Sequence, residues 1–152
     1  MLDTIVYSSS NERPNEPAAI DANGISTWHD IAVQTDRFIV ELKQLDLGHQ
    51  AILMLPQQSS VISLLAACAA IRLNTILIST FFGETGAREL MEELGAQSLL
   101  TIQNNKVVQL AAKNTSKTSS NELNEPFIAI LTSGTTGRPK CASHTWTTLA
   151  GV

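Results

Sequence analysis

Apolar positions change their period several times along this chain, and the changes predict alternating strands and helices. Residues 18–21 and 25–27 flank Asn23-Gly24, a strong signal for a two-residue hairpin turn. Thr27 followed three residues later by Asp30 reads as an N-cap with a capping-box variant. Trp28, Ile31, Thr35, Phe38, Leu42 and Leu45 then recur at helical spacing, with Gly48 as the expected stop. Core packing is expected for Trp28 and a solvated first turn for His29, rather than ligand contacts for either.

A continuous apolar run over 51–55, ended by Pro56, predicts a strand buried on both faces. Ser59 or Ser60 is expected to cap a helix reaching about Arg72, with a second β-rich run over 75–79. The apolar stretch 61–78 approaches membrane-spanning length, but Arg72, Asn74 and Thr75 interrupt it, so a buried helix and a buried strand are expected instead of a span. Thr85 is placed as the cap of a further helix through Leu94, Gly95 as its stop, and 98–102 as a third strand. Strand, helix, strand, helix, strand with short connections predicts an α/β fold, a layered unit on a parallel sheet with right-handed crossovers.

Asn104-Asn105 is expected to turn the chain back into a short strand over 106–110. Residues 113–126 are polar and without periodicity, which reads as a flexible surface connection. The strand over 127–131 then delivers its end to Thr132, and Ser143 or Thr145 is expected to cap a helix through Leu149. No internal repeat is visible.

Composition narrows the functional classes. A chain of 152 residues, 43% hydrophobic and 16% charged, can bury a core, and its net charge of −4 gives no general attraction to nucleic acid or anionic membrane. Any bound anion must therefore be held by a local site. Two cysteines, Cys68 and Cys141, are too few for a disulfide framework, which makes a reducing compartment the default. The first residues carry an acid at position 3 and no apolar signal region, so a cytoplasmic location is expected. No H-E-x-x-H, C-x-x-C or carboxylate cluster predicts a metal site, and the scattered His29, His49 and His144 support no catalytic triad.

The densest chemistry lies in Thr132-Ser133-Gly134-Thr135-Thr136-Gly137-Arg138-Pro139-Lys140. Gly134 and Gly137 can adopt positive φ and let backbone N–H groups converge on an anion, the hydroxyls add donors, and Lys140 adds a compact positive charge. Each charge-assisted bond is worth about 1.5 to 3 kcal/mol. This is not the phosphate loop of the common nucleoside triphosphatases: Pro139 stands where that loop needs Gly, and Cys141 where it needs a magnesium-binding hydroxyl.

In its order of hydroxyls, glycines, Pro and Lys, LTSGTTGRPK at 131–140 resembles the phosphate-binding signature of the adenylate-forming enzymes: acyl-CoA synthetases, aryl-CoA ligases, nonribosomal peptide synthetase adenylation domains and luciferases. The hairpin before Thr27-Trp28 and the strand-helix-strand unit from Ala51 are similar to the start of those enzymes. Leu73-Asn74-Thr75 departs from the small Gly-Ala pair usual there. Cys141 replaces the usual Gly after the Lys, which puts the backbone following Lys140 in question, and His144 stands earlier than the family's His.

The resemblance implies that Thr132, Ser133, Gly134, Thr135, Thr136, Gly137 and Lys140 bind the β- and γ-phosphates of ATP, with Mg2+ expected in the complete enzyme. It implies activation of a small-molecule carboxylic acid as acyl-AMP, usually followed by transfer to CoA or a phosphopantetheine thiol. It also makes 1–152 the first part of the large N-terminal AMP-binding domain. The adenine-binding segment, the acidic residue for magnesium, the ribose-binding Asp, the late catalytic Lys and the small C-terminal domain would all lie beyond Val152. The catalytic residues are thus not assigned here. Two expectations follow: the chain is part of a ligase, or it is a non-catalytic truncated or complementing fragment, inactive alone and partnered by the missing remainder.

Overall fold

The change of hydrophobic period along the chain is matched by a change of element in the computed structural model, which describes residues 2–113, 127–132 and 140–149. The elements are α1 (Leu2–Glu12), β1 (Pro17–Asp21), β2 (Gly24–Thr27), α2 (Trp28–Lys43), β3 (Gln50–Leu55), α3 (Ser60–Ala70) and β4 (Asn74–Ser79), followed by a 3-10 turn (Thr80–Phe82). Next come α4 (Gly83–Glu93), β5 (Ser98–Gln103), β6 (Lys106–Ala112), β7 (Phe127–Thr132), β8 (Lys140–Thr145) and α5 (Trp146–Leu149). The expected polar connection 113–126 lies outside the described residues except for Lys113.

β1 and β2 form a separate hairpin, and the other strands make one sheet in the order β6-β5-β3-β4-β7-β8. Its four inner strands are parallel, and β6 and β8 close the edges in antiparallel pairing. Alternation along β3 explains its unbroken apolar run. Ala51 and Leu53 face a core with Phe38, Leu42, Leu64 and Leu100, while Ile52 faces a second core with Ile76, Leu90, Met91 and Leu99. Helices α2 and α3 therefore cover one face and α4 the other, the α/β layering expected from the sequence. Among the described residues no helix is long and apolar enough to cross a membrane.

Local chemistry sets the element ends. Thr27 caps α2 through the expected box: its Oγ1 accepts the Asp30 N–H at 3.2 Å, and Asp30 Oδ2 accepts the Thr27 N–H at 2.9 Å. Asn104 and Asn105, at φ 50° and 57°, make the two-residue turn between β5 and β6. That hairpin is clamped to α2, since Glu41 Oε2 accepts the Val107 N–H at 2.8 Å and the Arg37 guanidinium donates to the Asn105 carbonyl.

Several expected caps are replaced. Helix α2 stops at Lys43 with Gln44 as its C-cap, and Gly48, at φ +66°, instead admits Gln97, whose Cβ would lie 2.6 Å from any Cβ at that position. Gln97 Oε1 there accepts the N–H groups of His49 and Gln50 at 3.1 and 2.8 Å. Thr85 lies inside α4, because the 3-10 turn, capped by Ser79, starts the helical path earlier. Gly95, at φ +67°, follows α4 as expected. Helix α1 had no counterpart in the sequence reading; Val6 packs with Ile31, Ala32 and Ala66, and the Tyr7 hydroxyl donates to Asp36 Oδ1 at 2.6 Å. Burial and that carboxylate hold the Tyr7 phenol above its ordinary pKa.

Neither Ser59 nor Ser60 caps α3. Ser59 occupies the cap position without a side-chain bond to the helix, and its own N–H donates to Asp21 Oδ2 at 2.6 Å. Asp21 also accepts the Asn23 N–H at 2.7 Å, so one carboxylate ties the hairpin turn to the start of α3. The Ser59 amide, then that of Asn23, holds the Asp21 carboxyl below its ordinary 3.8. A depressed carboxyl pKa adds stability that is present above the unfolded value and is lost as pH falls through the folded one. Urea midpoints for wild type and Asp21→Asn should therefore differ most at neutral pH and converge below pH about 4. A gap that stays constant from pH 7 to pH 2 would contradict this role.

Candidate functional site

Parallel pairing puts the carboxyl ends of β3, β4, β5 and β7 along one edge of the sheet. Thr132 is the last residue of β7 at that edge, and Lys140 is the first residue of β8. The two are cross-strand partners in the antiparallel ladder that runs from Phe127↔Thr145 to Thr132↔Lys140. Their Cα atoms are thus about 4.5–5.5 Å apart, the spacing of such partners. Ser133, Gly134, Thr135, Thr136 and Gly137, with Arg138 and Pro139, lie outside the described residues. Of the seven expected phosphate-binding residues, the structure brings together the backbones of Thr132 and Lys140.

β8 was not expected from the sequence, and it bears on Cys141. That residue lies opposite Leu131 within the ladder, and the positive-φ non-glycine residues among those described are Arg72, Asn104 and Asn105. An extended backbone admits any side chain, so the return of the chain after Lys140 has no need of the glycine usual in the family signature. His144 is exposed in β8 opposite Ile128. Of the two expected caps for the last helix, Ser143 lies in β8 and Thr145 acts, accepting the Thr148 N–H at 3.0 Å. Trp146, fully buried with Phe38, Leu42, Leu64 and Ile128, anchors this end of β8 in the core.

Other candidate chemistry is dispersed. His29 is exposed in α2 and His49 in the connection before β3, and Trp28 is half-buried under the Arg13 guanidinium at 5.5 Å. Cys68 is buried in α3, and burial pushes its thiol up to about 12, which makes it inert at neutral pH. Among the described residues no group of three His, Cys, Asp or Glu side chains could hold a metal. A polar cavity of about 380 Å³ lies among the β1-β2 hairpin, the start of α3 and the Asn104-Asn105 turn. Its lining includes Asp21, whose negative charge is wrong for a phosphate.

A family model described as AMP-binding enzyme matches residues 6–150. No curated protein sequence matches the chain. Among solved structures, the inhibitor-bound N-terminal domain of FACL13 from Mycobacterium tuberculosis superposes with a TM-score of 0.70 at 15% identity, over 95% of this chain and 44% of that one. The N-terminal subdomain of Klebsiella oxytoca NpsA, in complex with 3-hydroxyanthranilyl-AMSN, gives 0.67 at 17% identity, over 93% and 39%. The o-succinylbenzoate CoA synthetase MenE from Bacillus subtilis, in complex with its acyl-adenylate intermediate OSB-AMP, gives 0.64 at 16% identity, over 93% and 42%. At these identities the likeness is one of fold, and the chain spans less than half the length of each.

Proposed function

The chain belongs to the AMP-binding enzyme family, and on that footing we propose that it is the N-terminal part of an ATP-dependent adenylate-forming ligase whose 132–140 segment holds the pyrophosphate end of ATP. The observation that carries this reading is the pairing of Thr132 with Lys140 at the carboxyl edge of the parallel sheet. That edge is where open α/β sheets bind their ligands, and strands fixed on a packed core give a short segment two rigid ends. Four hydroxyl residues, two glycines and a lysine between and at those ends supply donors and charge for phosphate oxygens.

In the reaction proposed, an oxygen of a small carboxylic acid attacks the α-phosphorus of ATP. The bond from that phosphorus to the bridging oxygen breaks, and pyrophosphate leaves with the electron pair. Thr132, Ser133, Gly134, Thr135, Thr136, Gly137 and Lys140 would hold the β- and γ-phosphates and stabilise the charge gathering on the leaving group. Transfer of the acyl group to a CoA or phosphopantetheine thiol would follow. The described residues offer no cluster for magnesium, so it is proposed only as the counter-ion of the nucleotide and takes no step here.

The chain spans less than half the length of those solved structures, and the family resemblance implies that the adenine, ribose and late lysine segments lie outside these 152 residues. We therefore expect the isolated chain to bind magnesium pyrophosphate and ATP with similar, weak affinity, to bind AMP far less, and to catalyse no carboxylate-dependent exchange of labelled pyrophosphate into ATP. Calorimetry and phosphorus NMR measure the first two, and radiolabel exchange the third. Absence of pyrophosphate binding would reject the phosphate reading, and robust exchange would reject the idea that activity needs a larger protein.

A further inference from the structure

The sheet is held unevenly where it carries the candidate site. The β4-β7 ladder has three registered pairs, Thr75↔Ile128, Ile76↔Ala129 and Leu77↔Ile130. Beyond them, among the described residues, the Phe127 N–H at the start of β7 donates to the side-chain Oδ1 of Asn74 at 3.1 Å. The backbone of Asn74 is fixed from the other side, its N–H donating to the His49 carbonyl at 3.3 Å and its Cα paired with Gln50 of β3. Asn74, at the first position of β4, thus joins β3 through its backbone and the first residue of β7 through its half-buried side chain.

We infer that Asn74 is a positioning residue for β7, and through it for Thr132 and Lys140, because its side-chain carbonyl sets where β7 begins and hence where those two residues lie. The polar run before Phe127 has no apolar periodicity that would fix a register. A slip by one residue would send Ile128 and Ala129, buried in the two opposite cores, to the wrong faces. It would also move Thr132 about 3.3 Å along the strand, and its partner Lys140 would lose its place in the ladder. The Asn74 bond selects one register at the point where the chain rejoins the sheet. Its effect on strand position stands on the geometry alone, whereas its effect on phosphate binding rests on the function proposed above.

Three measurements test the assignment. In wild-type protein, a scalar coupling across the hydrogen bond should link the Phe127 amide nitrogen to the Asn74 side-chain carbonyl carbon; its absence would overturn the inference before any variant is made. In Asn74→Ala the Phe127 amide should exchange with solvent about three- to tenfold faster, the range for loss of one such bond, while amides shared by β3 and β5 are unchanged. Asn74→Asp, which keeps the acceptor, should restore protection to within about twofold of wild type. Equal exchange in Asn74→Ala and wild type, or failure of Asn74→Asp to rescue, refutes the role. Magnesium pyrophosphate affinity should follow the same order, falling about three- to tenfold in Asn74→Ala and recovering in Asn74→Asp. Should the wild type bind no pyrophosphate while the exchange pattern holds, the phosphate reading fails and the positioning of β7 by Asn74 stands.

Discussion

Replacing Trp146 with Ala is expected to lower the unfolding free energy by about 3–5 kcal/mol, the usual cost of emptying a buried aromatic site. The residue is fully buried, and the four-residue helix that carries it is too short to persist by its own hydrogen bonds. Its side chain therefore holds α5 to the core, and through Thr145 it holds the end of β8. The indole Nε1, buried without a hydrogen-bond partner among the described residues, adds a second expectation. Trp146→Phe removes that unpaired donor together with part of the ring volume, so it should cost less, about 1–2 kcal/mol. Guanidinium titrations with matched slopes give both values, with Trp28 remaining as the fluorescent reporter. An Ala variant within 1 kcal/mol of wild type would show that Trp146 adds little to the core.

How much of this was legible in the sequence depended on the range over which each feature is determined. The run 51–55 announced β3 because a strand buried on both faces has no polar face to show. Asn23-Gly24 announced the first hairpin, although its two-residue turn is Ala22-Asn23 and Gly24, at φ 124°, opens β2; Asn104-Asn105 announced the second because both take left-handed backbone, which Asn tolerates. The Thr27-Asp30 box spans four residues and was equally visible. By contrast, the group that ties down the start of α3 is Asp21, 38 residues earlier, and no local pattern links it to Ser59. Strand β8 was missed because Lys140–Thr145 shows neither alternation nor a β-branched residue before Thr145; it extends because β7 offers an unpaired backbone edge. Helix α1 has a serine-rich sequence with only Val6 and Ser9 buried, and packing on α2 and α3 forms it rather than propensity. For the candidate site, the order of residues in 131–140 carried the family signal, but Asn74 showed only as a polar interruption in an apolar stretch. Its hydrogen bond to Phe127 crosses 53 positions.

Lys140→Ala should weaken magnesium pyrophosphate binding about ten- to hundredfold, the equivalent of one charge-assisted contact worth about 1.5 to 3 kcal/mol. With a net charge of −4 the protein has no broad positive field to compensate, so the loss should stay nearly complete as salt is lowered. Lys140→Arg keeps the charge but not the compact ammonium and should recover part of the affinity. Cys141→Gly provides the contrast, since it introduces the residue usual in the family signature at a position that the structure places in regular strand. Affinity should then remain within about twofold, at a cost of about 0.5–1 kcal/mol in stability from the glycine in β8. Calorimetric titration of the three variants separates the alternatives. Wild-type affinity in Lys140→Ala would remove the lysine from the proposed site, and a large gain in Cys141→Gly would show that the segment needs glycine's freedom after all. If both expectations hold, the charge at 140 and the extended backbone at 141 act independently: one binds the anion, and the other returns the chain to the sheet.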